Sequence, residues 1–396
     1  MNIKSLLLGS AAALVAATGA RAADAVVVAE PEPMEYVRVC DVYGAGYFYI
    51  PGTETCLSIS GEVRYQINAS SAYDGWRKSA KGRINVNAKS ETEWGTLRGY
   101  IRLDSEFDPQ NQVVDSYMYQ AAGVQFNPLL GPAATGPIIS RANLGTDGYV
   151  KIDHAIIELG GLRIGYTESA WAQTQDGGAT NWGSHGDDGL SYGYQQRNLI
   201  AYTFKAGNGF FGTLSLEDDG NQNYMPDIVA KVGVNQGWGG VWAKVGYDED
   251  IAPAAAAILG ARYAGITVPG ANGLSGVDGW GASAGVHINV PNMAGSSLRV
   301  IGFYANNANA YSVGSRWSVL ASYQHTFSPM VTASVGAQYF GDTNYAAAGN
   351  PSAWQVEGVL VLTPVENFVV RAEINHFKAT GATGVTSGWL RFSRFF

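Results

Sequence analysis

From Leu57 onward, apolar and polar residues alternate along the chain with a period of two. Leu57, Ile59, Val63, Tyr65 and Ile67 interleave with Ser58, Ser60, Glu62, Arg64 and Gln66. Near the other end, Trp354, Val356, Leu360 and Leu362 share one face, and Phe368, Val370, Ala372 and Ile374 interleave with Arg371, Glu373 and Asn375. Successive side chains of a strand point to opposite faces, so this pattern predicts strands with one apolar and one polar face. Short turns are predicted near 92–95, 160–161, 206–209, 236–239, 291–296, 327–329 and 364–367. Longer connections fall near 68–76, 106–148, 168–195, 218–226, 249–278, 306–315, 341–352 and 379–386. Short and long alternate throughout, and seven turns with eight loops join sixteen strands. Residues 254–268 (AAAAILGARYAGITV) admit a further hairpin, which would make eighteen. Between 149 and 159 the apolar parity shifts from Val150 and Ile152 to Ala155, Ile157 and Leu159, which predicts a bulge near His154.

Alternating loop lengths and an even strand number are the habit of bacterial outer-membrane barrels, with short turns on the periplasmic side and both chain ends there too. The apolar faces end in rings, among them Trp94, Tyr166, Phe204, Trp238, Trp280, Tyr323, Tyr339, Trp354 and Phe396. Rings at strand ends are expected at the two lipid–water interfaces. A secreted β-sandwich is the competing reading, in which the apolar faces would point inward. Composition favours the barrel: only 15% of residues are charged, 46% are hydrophobic and 51 are glycine. No stretch beyond residue 22 offers the roughly 20 consecutive apolar residues of a spanning helix. The fold expected is therefore all-β, a 16-stranded antiparallel transmembrane β-barrel, wide enough for an aqueous interior.

The N-terminus carries Lys4, an apolar run over 6–17 and the cleavage pattern Ala20, Arg21, Ala22, so residues 1–22 read as a signal peptide. The barrel then occupies 23–396, with 23–56 as a lead-in and disulfide loop. An oxidising compartment favours a bond between Cys40 and Cys56, with two free thiols as the alternative. Without Lys4 and Arg21, 23 basic residues stand against 33 acidic ones, a net charge of −10 that argues against nucleic acid as a partner.

No nucleophile elbow, metalloprotease helix or phosphate-cradling loop is present, and His154, His185, His287, His325 and His376 lie at no metal-ligand spacing. No catalytic, metal or cofactor site is expected. An outer-membrane hydrolase stays as a contrasting class, without residues to support it. The charged residues of the polar face say more. By parity Arg64, Arg83, Arg98, Arg102, Arg371 and Arg391 point inward, and closure of the last strand on the first would join them into one basic wall. Their bland role is to pair with Glu62, Asp104 and Glu373. The third long loop carries Glu168, Asp176, Asp187 and Asp188, and folded into the lumen it would set acids against that wall across a narrow eyelet. The alternative is a solvated external loop. The terminal Phe396, with Phe392 and Leu390 on its parity, resembles the signal read by the barrel-assembly machinery, while Arg394 interrupts that apolar face.

The block VRVCDVYGAGYFYIPGTETCLSISGEVRYQ (37–66) resembles the opening of the alphaproteobacterial outer-membrane porin family, porin type 2. GYTESAW (165–171), PDIVAKVGVNQGWG (226–239) and LRFSRFF (390–396) look like further family blocks. The resemblance implies a homotrimer of 16-stranded barrels in the outer membrane, set among its lipids and lipopolysaccharide. It implies a third loop inside each pore and passive diffusion of ions and small hydrophilic solutes. The long Ala-rich loop 253–279 departs from the family pattern at the pore mouth. A substrate-specific outer-membrane channel, with which the basic wall is compatible, is the alternative.

Overall fold

A computed structural model of the chain describes residues 38–72, 75–107, 118–120, 125–126, 138–139, 149–172, 183–187, 190–218, 224–249, 278–343, 345 and 351–396. The expected export signal 1–22, the lead-in 23–37, Asp176, Asp188 and the 254–268 hairpin lie outside these residues.

Sixteen antiparallel strands close into one barrel. They are β1 (Cys56–Ser70), β2 (Trp76–Thr92), β3 (Gly95–Phe107), β4 (Tyr149–Leu159), β5 (Leu162–Glu168), β6 (Gln196–Lys205), β7 (Phe210–Asp218) and β8 (Asp227–Gln236), followed by β9 (Gly239–Asp248), β10 (Gly279–Asn289), β11 (Ser297–Ala305), β12 (Trp317–Ser328), β13 (Val331–Gly341), β14 (Ser352–Val365), β15 (Phe368–Ala379) and β16 (Val385–Phe395). Each pairs with its sequence neighbours, and β1 pairs with β16 from Glu62 opposite Phe395 to Ser70 opposite Ser387. β9 lies directly against β10, from Gly239 opposite Ile288 to Asp248 opposite Gly279, so no strand enters the barrel between them and the count is sixteen. Within the loop 108–148, the short strands Met118–Gln120, Gln125–Phe126 and Ile138–Ile139 pair in a small sheet of their own.

The short turns fall at the predicted places, and their backbone explains the residues there. Gly160, Gly209 and Asn367 have φ of 57°, 84° and 62°, the left-handed region that glycine and asparagine tolerate. The predicted bulge is present. Arg102 faces His154 while Leu103 faces Ile152, which leaves Asp153 as the extra residue. The bulge turns both Asp153 and His154 into the interior, where they are buried.

The outward face is an apolar belt, with Ile59, Val63, Ile84, Ile101, Ile157, Ile200, Leu214 and Val335 all exposed. Rings border it at both ends. Trp94, Phe204, Trp238, Phe327 and Phe396 mark the short-turn side, and Trp280, Tyr304, Trp317, Tyr339 and Trp354 the long-loop side. Trp280 stacks on Tyr304, and Trp317 on Tyr339, each with ring centroids 5.3 Å apart. Arg394 reaches from its apolar parity to the carbonyl of Asn367 in the last short turn, so its charge rests at the interface.

The inward face departs from the simple expectation of a polar lumen. Along β7 to β13 it carries Phe211, Val229, Trp242, Ile301, Phe303, Leu320 and Phe340, all buried. Two loops fold in against them. Leu190 and Tyr192 of the third long loop, L3 (169–195), join the larger apolar cluster, and so does Val313 of the sixth, L6 (306–316). This half of the interior is thus closely packed, with Leu320 0% and Phe340 1% exposed and with Glu217, Asp227, Lys231 and Asp248 buried on the same strands. Cys40 and Cys56 form a disulfide.

Candidate functional site

The other half of the interior is polar. Closure brings the arginines onto five adjoining strands. Arg371 of β15 sits directly opposite Arg391 of β16, whose other neighbour is Gln66 of β1. Arg64 of β1 lies opposite Lys81 of β2. Arg83 of β2 lies opposite Asp104 of β3, and Arg98 of β3 opposite Lys89 of β2. The side chains of Arg64, Arg83, Arg98 and Arg371 keep 21% of their surface exposed, and that of Arg102 keeps 24%. That fraction separates these five from the packed half and from Arg391, whose side chain keeps 10%.

Every one of the six arginines has an acidic or polar partner. Arg64 grips Glu62 through two bonds of 3.0 Å. Arg83 forms a fork on Asp104 at 2.7 and 2.8 Å, which Lys81 also reaches. Arg98 and Arg163 share Glu158. Arg102 donates to Asn85 and lies 3.6 Å from the bulged Asp153. The planar fork of arginine suits such paired acceptors and fixes the direction in which the remaining N–H groups point. Structural pairing and an exposed charged edge therefore coexist.

L3 is held inside the barrel by hydrogen bonds from the wall opposite its root. The amide of His185 donates to Ser322 Oγ (3.1 Å), that of Asp187 to Glu373 Oε2 (2.8 Å) and that of Ser191 to Gln338 Oε1 (2.7 Å). Glu357 accepts from Gly186 at 3.2 Å. Arg371 donates to the carbonyl of His185 (2.8 Å), and Arg299 donates to that of Ser184. The His185 ring is set between hydroxyls, with Nδ1 2.6 Å from Ser322 Oγ and Nε2 2.8 Å from Ser297 Oγ. Burial and the nearby Arg299, His287 and Arg371 push its imidazole down to about 3, so it is neutral. The root of L3 is fixed separately. Lys244 Nζ donates to the carbonyl of Trp171 at 2.6 Å and lies 4.5 Å from the Trp171 ring.

The predicted acidic residues divide. Asp187 meets the basic wall directly, paired with Arg391 and 3.8 Å from Arg371, and does not face it across a gap. Burial alone would raise its carboxyl, but Arg371, Arg391 and Arg64 hold it below the usual carboxylate value. Glu168 belongs to the end of β5, where it lines an alcove with Arg98, Tyr100, Arg102, His154 and Arg163. Asp176 and Asp188 lie outside the described residues. Sequence parity passed over Asp153, Glu158, Arg163 and Lys81 as members of this wall. The parity shift at the bulge was the signal for the first, and the inward positions of the others followed from the same alternation.

A barrel with an apolar exterior, ring-bordered rims and a charged inner wall beside an inward-folded loop is a channel-forming protein of the outer membrane. The sequence profile of the Porin subfamily matches residues 24–389. Over 281 residues, 66% of this chain and 70% of the relative, the sequence is 41% identical to Porin Omp2b of Brucella canis. Among solved structures, the outer-membrane channel DcaP of Acinetobacter baumannii superposes with a TM-score of 0.61 at 15% identity, over 88% of this chain and 99% of that one. OmpT of Vibrio cholerae, in its trimer form, gives 0.54 at 12% identity, over 87% and 100%. These two likenesses are of fold. The chain belongs to the porin family, as its opening block implied, and it is an outer-membrane barrel of a Gram-negative bacterium.

Proposed function

We propose that the protein is a general diffusion channel, not an enzyme, passing ions and small hydrophilic solutes through the polar half of its lumen. The observation that carries this reading is the row of arginines on five adjoining strands, partly exposed on all of them except β16, with L3 packed beside it. Charges fixed on one wall of a narrow passage act on a solute at close range and favour anions. In this reading Arg64, Arg83, Arg98, Arg102, Arg371 and Arg391 are the pore wall, and Asp187 with Glu168 belongs to the constriction. Export by 1–22, assembly as a homotrimer and insertion through Phe396 complete it. The trimer form of the structurally similar OmpT and the family resemblance support the assembly.

Planar-bilayer recording tests this. Purified protein is expected to insert with stepwise conductance, and a folded barrel that stays silent would sink the reading. Arg98→Ala and Arg83→Ala are the informative variants because neither strands a carboxylate: Glu158 keeps Arg163 and Asp104 keeps Lys81. At roughly 0.1 M salt, where the screening length is about 10 Å, each is expected to lower the anion-to-cation permeability ratio about twofold. Unchanged selectivity and conductance in both would remove the arginines from the pore.

A substrate-specific channel is favoured by one feature, the alcove in which Tyr100 lies between Arg98 (4.5 Å from the ring centroid) and Arg102 (5.7 Å). Liposome swelling separates the two readings. A smooth fall in rate with solute size supports general diffusion, and one anionic solute passing far faster than its size predicts supports the alternative.

A further inference from the structure

The disulfide-closed segment 40–56 does not hang below the barrel; it is laid on the inner rim of the short-turn mouth. Val39 bridges to Phe48, and Phe48–Tyr49 pairs with Cys56 and Leu57 at the start of β1. Further backbone bonds, Cys40 N to Tyr47 O (2.9 Å) and Ile50 N to Thr55 O (2.9 Å), make it a small rigid pad. The pad is fastened to β2 through Asn87, Lys89 and Glu91. These share parity with Arg83, so they belong to the inward face. Asn87 Nδ2 donates to Tyr47 Oη at 2.6 Å, and Tyr43 Oη donates to Glu91 Oε1 at 2.8 Å. The ammonium of Lys89 lies 5.2 Å from the centroid of the Tyr43 ring and 5.0 Å from that of Tyr47, within the range of a cation–π attraction. Asn87 Oδ1 in turn accepts from Arg98 Nε at 2.9 Å. A two-bond path, Tyr47 to Asn87 to Arg98, therefore joins the pad to the basic wall, and Arg98 lies opposite Lys89.

We propose that the segment 40–56 is a fixed partial lid over the periplasmic mouth, and that Tyr43 and Tyr47 clasped over Lys89 form a second, exit-side filter. The proposal rests on the channel reading and extends it. The basic wall does not end at Arg98; it continues through Lys89 to the rim, where two rings narrow the exit. A solute leaving the wall meets an aromatic edge and one cation on a support that a disulfide and five backbone hydrogen bonds within residues 38–55 hold in place. The lid sits apart from L3, so the two constrictions act in series.

The test uses the mature protein in planar bilayers and in liposomes. The double variant Tyr43→Ala/Tyr47→Ala is expected to raise single-channel conductance roughly 1.5-fold and to admit solutes just above the wild-type size limit. Lys89→Gln is expected to lower the anion preference at low salt, and an unchanged preference would remove Lys89 from the filter. Closure of the barrel does not use these residues, since it runs through β1 and β16. As a check that needs no refolding, wild-type channels already inserted are treated with a dithiol reductant, which becomes a disulfide as Cys40 and Cys56 become thiols. Complete reduction, confirmed by thiol labelling, is expected to raise the current or make it fluctuate. An unchanged conductance and size limit in the folded double variant, or a steady current after complete reduction, overturns the lid. A wild-type protein that does not conduct fails the channel reading instead, so the two failures are distinguishable.

Discussion

His185 shows how single residues set the condition under which L3 stays docked. Its ring is held neutral at about 3 by burial and by Arg299, His287 and Arg371, against an ordinary value near 6.5. Docked L3 therefore binds fewer protons at this site than released L3. The stabilisation is complete above about pH 6.5 and is lost as pH falls toward 3, by at most about tenfold in the docking equilibrium per pH unit. Asp187 has its value lowered by Arg371, Arg391 and Arg64, net of a burial effect that would raise it. Its contribution is present above the ordinary carboxylate value of about 4 and disappears only below that. Acid is thus expected to loosen L3 in two stages, His185 first. Single-channel current noise recorded from pH 7 to 4.5 should rise in the wild type and stay flat in His185→Gln. A wild-type record equally quiet at both ends would show that the imidazole does not report on docking.

At the scale of strands and loops, the packed half of the barrel depends on inward glycines. Tyr311 of L6 lies over Gly246 of β9 and Gly281 of β10, where an added Cβ would come within 2.5 Å and 3.0 Å of it. The same tyrosine stacks on Trp171 at the root of L3, with centroids 5.3 Å apart, and donates to Asp227 at 3.2 Å. Gly246→Val should lift Tyr311, loosen both loops and cost about 1–3 kcal/mol by overpacking. Gly302→Val, which meets nothing within 4 Å, is the control and should leave stability unchanged. Urea unfolding of reconstituted protein reads the difference, and equal midpoints for the two variants would contradict the packing account. This half was also the part least legible in the sequence. Outward alternation could be read from Phe210, Leu214 and Leu216, but Phe211, Val229 and Trp242 sit on the opposite parity, where a lumen is expected to be polar. Only the filling of that space by L3 and L6 makes them core, and a loop such as 306–316 carries no periodicity that announces it. The wall and the bulge were legible for the opposite reason. β1 to β4 keep strict alternation up to Asp153, so parity alone places Arg64, Arg83, Arg98 and Arg102. What parity could not supply was distance, which sets Asp187 against Arg391 and not across a gap.

For the whole molecule, the decisive event is the meeting of the first strand with the last, which assembles the basic wall and leaves no open edge. Nine residue pairs join β1 to β16. Phe396 adds one more contact beyond them: its amide donates to Gly61 O at 3.1 Å, its carbonyl accepts from Gly61 N at 2.9 Å, and its ring covers Gly61 where a Cβ would meet it at 2.4 Å. Phe396 is thus a structural clasp, and its ring is also exposed at the rim, where the proposed role as a signal for an assembly factor would act. The two roles predict different outcomes for removal of Phe396. Closure retains its nine pairs, so refolding of the purified protein into detergent or liposomes should match the wild type within about twofold in rate and yield. Assembly in cells should fall much further, because the exposed ring is gone. A collapse of refolding in the purified system would make the clasp the principal role and the signal secondary. Gly61→Ala supplies the complementary case. It leaves Phe396 present but forces it away from β1, and the added Cβ also meets the carbonyl of Arg83 at 2.5 Å. Refolding in the purified system should therefore slow more with Gly61→Ala than with loss of Phe396, which is the order expected if β1 and β16 close the barrel by backbone register and the terminal ring serves recognition.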